Sequence, residues 1–183
     1  MSLDLKEKYI KEVVAKMKEK FGYKNDLAVA AIEKVIVNTG IGSSGLRDEK
    51  DQEMISRDLG LITGQKPIPT LAKKAVSAFK VRQGMVIGLK VTLRGRRMFD
   101  FLSRLINIVI PRIRDFRGLE LKSVDNGGNL TIGIKEHIIF PEISSEEVKR
   151  IFGMEITVVT NAKKREEALE LFRLLGFPIK KDG

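Results

Sequence analysis

Apolar residues recur along the chain at two spacings, and these spacings predict its helices and strands. Apolar positions three or four residues apart predict four helices: Leu5–Phe21, Leu46–Gly60, a segment that starts at Gly95 and stops at Pro111, and a last helix that Thr160 or Asn161 caps and Gly176 closes. Alternating or β-branched runs predict strands: Ile32–Asn38, Val86–Arg94, Leu119–Ser123, Asn129–Lys135 and Met154–Thr160. Between the second helix and the second strand, Gly64, Pro67 and Pro69 predict an extended edge segment.

The order of these elements predicts an α+β fold, with an antiparallel or mixed sheet and helices packed mainly on one face. Within Val86–Arg94, one predicted face is apolar and belongs to the core: Ile87, Leu89, Val91 and Leu93. The other face carries two cations and a hydroxyl, so we expect it to be exposed: Gly88, Lys90, Thr92 and Arg94. No linker or repeat divides the sequence, which predicts a single domain over residues 1–183.

The segment Ala72–Gly84 has weak periodicity and predicts a long loop with a short helical turn. The extended segments on either side of it can pair without it, so the loop is free to protrude. Long loops inside compact domains are usually functional or disordered. Phe79 supports a second interpretation, in which the aromatic ring pins the loop to the protein body.

Composition excludes several kinds of chemistry. The chain has 183 residues, of which 43% are hydrophobic, with no cysteine and one histidine. Disulfides, thiolate catalysis, cysteine-ligated zinc and a histidine-rich metal site are therefore not expected. No apolar run is long enough to cross a bilayer, and the N-terminus is charged throughout rather than typical of a signal peptide. We expect a cytoplasmic protein that does not enter membranes.

Positive charge is concentrated in one part of the chain. The formal net charge is +10, with 34 basic and 24 acidic residues. The segment Lys66–Arg117 holds two acids and 13 basic residues: Lys66, Lys73, Lys74, Lys80, Arg82, Lys90, Arg94, Arg96, Arg97, Arg104, Arg112, Arg114 and Arg117. A generally basic, solvated surface does not require this asymmetry, whereas a surface that faces phosphates does. Aromatic residues are thinly interleaved with these cations, as at Phe79 and Phe99, so we expect recognition through shape and backbone rather than on a stacking platform.

One glycine motif resembles a cofactor-binding fingerprint. Gly40-Ile-Gly42-Ser-Ser-Gly45 matches G-x-G-x-x-G, follows a predicted strand and precedes a helix. A dinucleotide-binding unit continues with a second parallel strand that ends near an acid, but no acid lies between Asp58 and Asp100. We interpret the motif as a turn that lets backbone approach another molecule closely. A nucleotide-dependent oxidoreductase stays an alternative.

His137 lies near three acids, Glu142, Glu146 and Glu147, which could form an acid–base or metal cluster. We interpret these acids as the solvated start of a short helix, and His137 as a partly buried strand residue. No G-x-S-x-G, P-loop or H-E-x-x-H motif occurs. We expect no enzyme, catalytic residue, metal, cofactor or small-molecule substrate.

Several long motifs, in order, resemble one family almost from end to end. They are Val35–Gly42, Leu59–Ala75, Phe79–Gly84, Ile87–Gly95, Pro111–Gly118, Ile139–Ile143 and Leu174–Pro178. They resemble large-subunit ribosomal protein number five, the bacterial 5S-rRNA-binding family. Ser43 departs from the acidic residue that the family usually carries after its Gly-x-Gly turn.

The resemblance implies a structural role rather than catalysis. It implies that the chain attaches 5S rRNA to the central protuberance of the large ribosomal subunit. Further partners would be P-site tRNA, 23S rRNA and neighbouring ribosomal proteins, including a small-subunit head protein across an intersubunit bridge. Carried over by motif, the rRNA contacts fall on Asn38, Thr39, Gly40, Gly42, Thr63, Gln65, Lys66, Lys90, Thr92 and Arg94. The tRNA contacts fall in the loop, on Lys73, Lys74, Lys80 and Arg82. A free RNA-binding regulator or an RNA-modifying enzyme stays open as an alternative.

Overall fold

The computed structural model describes residues 5–41, 49–144, 146 and 148–180, which form four helices and five strands. Helix α1 comprises Leu5–Lys8, a π-helical segment Tyr9–Val13 and Val14–Phe21; α2 is Glu49–Thr63; α3 comprises Gly95–Arg104, a π-helical segment Leu105–Val109 and Ile110–Arg112; α4 is Arg165–Leu175. The strands are β1 Ile32–Gly40, β2 Ile68–Leu71, β3 Val86–Leu93, β4 Leu130–Ile134 and β5 Met154–Thr160. In these described ranges, no helix has the length and apolar character needed to span a membrane.

The five strands form one antiparallel sheet in the order β2-β3-β1-β5-β4, which confirms the α+β fold class. β2 is an edge strand, as the prolines around it predict. It pairs antiparallel with β3 in a register that places Ile68 opposite Lys90 and Thr70 opposite Gly88. The residues between β2 and β3 therefore form the loop of a long hairpin.

The chain divides into two compact units. One unit comprises the described residues of 1–35, 93–132 and 157–183, and in it α1 packs against both α3 and α4. Its helices bury Met17, Phe101 and Phe172 almost completely. The other unit comprises the described residues of 36–92 and 133–156, where α2 buries the stripe Ile55, Leu59 and Ile62. The single domain over residues 1–183 stays a prediction.

Several sequence predictions about local structure are wrong. Helix α4 begins after Lys164, so neither Thr160 nor Asn161 caps it. Thr160 ends β5, and the Asn161 side chain accepts a hydrogen bond from the backbone N–H of Ala31 at 2.7 Å. Leu119–Ser123 is not a strand, since Leu119 bridges to Ile179 and the last three residues form a 3₁₀ turn. Pro111 does not stop helix α3, which ends at Arg112. Pro111 lies in the first turn of the short segment Ile110–Arg112, which follows the π-helical residues.

Candidate nucleic-acid interface

The alternation of β3 places charged side chains at the surface. Leu89, Val91 and Leu93 are buried, as the sequence predicts, while Lys90 is exposed and Thr92 is half-buried. Two positions depart from the predicted faces: Ile87 is exposed and Gly88 is buried. The pairing with β2 skips Ile87, since Thr70 lies opposite Gly88 and Leu71 opposite Val86, so the alternation of faces is interrupted there.

The backbones of β1 and β3 approach each other closely at Gly88. A Cβ at this position would lie 2.6 Å from the backbone oxygen of Thr39 and 3.7 Å from the Cα of Gly40. Beyond it, the N–H of Ile41 donates to the carbonyl of Ile87 at 3.2 Å. A side chain at Gly88 would separate the two strands, so the glycine there fixes the position of the end of β1.

The end of β1 presents both a polar side chain and open backbone. Asn38 and Gly40 are exposed, and a Cβ at Gly40 would have no heavy atom within 4 Å. Gly40, which the sequence predicts to begin a turn, is instead the last residue of β1, and Gly42 lies outside the described residues. Among the described residues, nothing covers the Asn38 side chain or the Gly40 backbone.

Two threonines that the resemblance assigns to rRNA contact use their hydroxyls inside the protein. Thr39 is buried, and its Oγ1 donates to the carbonyl of Gly153 at 2.7 Å. Thr63 is also buried, with Oγ1 within 2.7 Å of the Leu59 carbonyl and 3.1 Å of the Gln65 carbonyl. Both hydroxyls hold local backbone in place, and their contact with rRNA stays a prediction.

The segment after α2 is tied to β3 by a side chain. Helix α2 ends where Gly64 adopts a left-handed φ of +67° and donates its N–H to the Gly60 carbonyl. The Gln65 side-chain amide then donates to the carbonyl of Thr92 at 3.3 Å. Lys66 follows and is exposed, so this bond anchors the residue just before a surface cation.

Residues 72–84 form the predicted loop, with the predicted short helical turn at Ser77–Phe79. Two backbone bonds close its base: Ala72 N–H donates to the Met85 carbonyl and Gly84 N–H to the Ala72 carbonyl, at 2.8 and 2.9 Å. Its four cations, Lys73, Lys74, Lys80 and Arg82, are all exposed. Phe79 is 73% exposed, so the interpretation that it pins the loop to the protein body is wrong.

Six exposed cations in and next to the β2–β3 hairpin form no ion pair with acids of the described chain. Lys66, Lys90 and the four loop cations have no ion pair with any described carboxylate within 4.0 Å. In the other unit, Arg94 is exposed, and the guanidinium of Arg96 lies 3.8 Å from the carboxylate of Asp100. The positive charge of the hairpin is therefore not neutralised within the described chain.

His137 is a fully buried residue of a 3₁₀ turn, not the partly buried strand residue that the sequence predicts. Its ring stacks on Phe152 with centroids 3.9 Å apart, and its Nδ1 accepts from the Phe152 N–H at 3.4 Å. Burial lowers its pKa below the ordinary 6.5, although the Asp58 carboxylate at 3.5 Å from Nε2 acts in the opposite direction. These contacts give His137 a structural role.

The described acids near His137 do not form a metal-binding cluster. Glu146 is exposed and Glu147 lies outside the described residues. Among the residues with described positions, no three histidine, cysteine, aspartate or glutamate side chains are grouped as metal ligands.

Arg150 is a site residue that the sequence analysis missed. Its guanidinium pairs with the carboxylate of Asp51 in the first turn of α2 and donates to the backbone carbonyl of Ile41 at 3.1 Å. It thus connects the residue after β1 to the start of α2. No motif marks Arg150, because its partners lie 99 and 109 positions away in the sequence.

Comparisons with known proteins find one family along nearly the whole chain. The family model described as Ribosomal protein L5 matches residues 25–82, and the model for the ribosomal L5P family C-terminus matches residues 86–179. The large ribosomal subunit protein uL5 of Dictyoglomus turgidum is 54% identical over 177 residues, covering 97% of this chain and 98% of that protein. The chain belongs to the ribosomal protein L5 family.

Other members of the L5 family are similar over the same length. The uL5 protein of Kosmotoga olearia is 54% identical, covering 97% of this chain and 96% of its own, and that of Thermosipho melanesiensis is 51% identical, covering 98% of each. These relatives are named as a ribosomal protein, so the prediction that the chain is not an enzyme is confirmed. The first family model spans β1, α2, β2 and most of the loop, and the second begins at β3.

Proposed function

We propose that the chain is a structural constituent of the large ribosomal subunit in the cytoplasm, where it binds 5S rRNA and attaches it to the central protuberance. Membership of the L5 family supports the place in the subunit, because relatives at 51–54% identity carry the name of a large-subunit protein. The observation that carries the RNA contact is the hairpin surface, where exposed cations without acidic partners accompany the open backbone of Gly40.

The proposed rRNA contact uses three kinds of protein group: backbone N–H groups, an amide side chain and cations. RNA-binding proteins bond phosphate and ribose oxygens through backbone N–H groups, amide side chains and cations. Asn38 supplies an exposed amide, Gly40 lets the RNA backbone come close, and Lys66 and Lys90 supply charge. Thr39, Thr63 and Gln65 support this surface by holding the protein backbone that carries it. The remaining residues of the proposed contact are Gly42, Thr92 and Arg94.

The loop 72–84 serves a second polyanion, which we propose to be the P-site tRNA. Its four cations are exposed, it holds no acid, and its base is closed by backbone bonds so that it stands apart from the strands. Contacts with 23S rRNA, with neighbouring ribosomal proteins and with a small-subunit head protein belong to the same proposal and rest on the family resemblance.

The deciding experiment asks where the protein is found and with which RNA. Cell lysate is separated on a sucrose gradient at moderate salt, and the RNA that remains bound to the purified protein after nuclease-free subunit dissociation is sequenced. We expect a one-to-one ratio of the chain to large subunits and enrichment of 5S rRNA. A free RNA-binding regulator would instead sediment away from the subunits, and recovery with unrelated RNA would contradict the proposal.

A further inference from the structure

The tip of the loop is ordered by its own backbone hydrogen bonds. Val76 and Val81 exchange two bonds, Val76 N–H to Val81 O at 2.9 Å and Val81 N–H to Val76 O at 3.1 Å. Inside this bridge, Phe79 N–H donates to the Val76 carbonyl at 3.3 Å and Lys80 N–H to the Ser77 carbonyl at 3.0 Å. A preorganised tip loses less conformational entropy when it binds a partner than a flexible loop does.

This ordered tip presents an aromatic ring to solvent. Phe79 is 73% exposed, although large aromatic side chains normally bury most of their surface. The next residue, Lys80, has a left-handed φ of 54°, a conformation that glycine adopts more easily than lysine. The tip thus holds a cation where backbone geometry favours glycine, directly beside an uncovered ring.

An exposed ring among cations fits nucleic acid better than protein or lipid. Cations bind phosphates, and an aromatic face stacks on a base that is not already covered by its neighbours. The loop holds four exposed cations and no acid, so an acidic polymer with accessible aromatic faces complements it. A regular duplex covers its base faces, whereas loops, bulges and ends of folded RNA expose them.

We infer that Phe79 stacks on one unstacked base of the RNA that meets the loop, while Lys73, Lys74, Lys80 and Arg82 bind its phosphates. This inference rests on the proposed function, in which that RNA is the P-site tRNA. The ring and the cations have different roles. The cations supply salt-dependent affinity, whereas the ring selects a site where the face of a base is exposed. A single ring contacts a single base, so no stacking platform is involved.

The first experiment detects stacking directly. The chain contains no tryptophan, so the variant Phe79→Trp carries a unique fluorophore at the tip. Full-length variant protein is titrated with deacylated tRNA and, in parallel, with heparin, which is polyanionic but has no bases. We expect tRNA to quench the tryptophan emission and heparin to leave it nearly unchanged. Equal responses to the two polyanions would overturn the inference.

The second experiment measures tRNA release from programmed ribosomes that carry Phe79→Ala, Phe79→Tyr or Arg82→Gln, over a KCl series. Loss of one base–aromatic stack predicts about tenfold faster release for Phe79→Ala, with an unchanged dependence on salt. Phe79→Tyr should retain slow release because tyrosine also stacks. Arg82→Gln should instead reduce the salt dependence, since it removes a phosphate contact.

The outcomes separate the inference from the proposed function. Faster release with Arg82→Gln but not with Phe79→Ala would overturn stacking and leave the tRNA contact in place. No change with any variant would contradict both. Impaired joining of the two subunits by Phe79→Ala, with unchanged tRNA release, would mean that the ring docks on protein and would also overturn the inference. Normal 5S rRNA content in each variant subunit confirms that the protein has folded and assembled.

Discussion

The backbone oxygen of Thr39 lies 2.6 Å from the point where a side chain on Gly88 would place its Cβ. We therefore expect Gly88→Ala to force β1 and β3 apart and to lower the free energy of unfolding by about 1–3 kcal/mol, a typical cost of overpacking. Urea unfolding of the free protein measures this change. A loss below about 0.5 kcal/mol, the range of an ordinary surface substitution, would mean that the strands adjust freely at this point.

A substitution on the facing strand should separate folding from binding. A Cβ at Gly40 meets no atom of the described residues within 4 Å, so Gly40→Val should fold normally and weaken 5S rRNA binding by blocking close approach. Gly133→Val is the matched control, because Gly133 is also an exposed strand glycine with open space around its Cβ. Filter binding with 5S rRNA compares the two variants. If they bind equally, the end of β1 is only a connector.

Binding of 5S rRNA should depend steeply on salt. With on the order of 5 phosphate contacts, affinity should fall by about two orders of magnitude between 50 and 200 mM salt. Replacing Lys66 and Lys90 by glutamine should flatten this dependence, since both are exposed without an ion pair to a described carboxylate. The control replaces Lys16 and Lys24, two exposed lysines outside the basic stretch. A salt-independent affinity would contradict the electrostatic proposal, and equal binding of an unrelated tRNA would contradict specificity for 5S rRNA.

The loop should act separately from the 5S rRNA contact. Replacing its four cations with glutamine should remove roughly 1 kcal/mol or less per exposed contact, because water and salt screen such charges. We expect purified subunits with a normal content of 5S rRNA and faster dissociation of P-site tRNA from programmed ribosomes. Loss of 5S rRNA together with unchanged tRNA release would assign the loop to the 5S rRNA contact instead.

Stability should fall as pH drops below the ordinary pKa of histidine. Burial lowers the pKa of His137 in the folded protein below 6.5, so between pH 7 and 5 the unfolded chain binds the proton more readily. The free energy of unfolding should therefore decrease with falling pH, by at most about 1.4 kcal/mol per pH unit. Urea unfolding at pH 5, 6, 7 and 8 tests this. His137 is the single histidine, so His137→Asn should remove most of the slope between pH 7 and 6, whatever its overall stability.

Elements with a strong local pattern are predictable from sequence. β5 has the predicted bounds Met154–Thr160, because regular alternation places its apolar residues on one buried face. Helical spacing predicts an inner stripe of Met54, Ile55, Leu59 and Ile62 on α2; the last three are buried and Met54 is half-buried. The loop between β2 and β3 is predictable because its apolar residues follow neither the helical nor the strand spacing.

The predictions that are wrong concern residues whose hydrogen-bond partners lie far away in the sequence. Asn161 does not cap α4 because its side chain is bonded to Ala31, 130 positions away. The same limit applies to the site: charge patterning predicts that Lys66 and Lys90 are exposed, but nothing local predicts that the hydroxyl of Thr39 bonds to Gly153. The role of Arg150 also depends on tertiary structure, since each of its contacts crosses about a hundred residues.

The outer strand β2 has four residues and includes Pro69. Proline fits in a sheet only where its nitrogen points away from the neighbouring strand, so the open edge lacks a hydrogen-bond donor there. A short edge interrupted in this way is a poor template for another chain. Between synthesis and assembly, this edge therefore disfavours strand pairing between copies of the RNA-free protein.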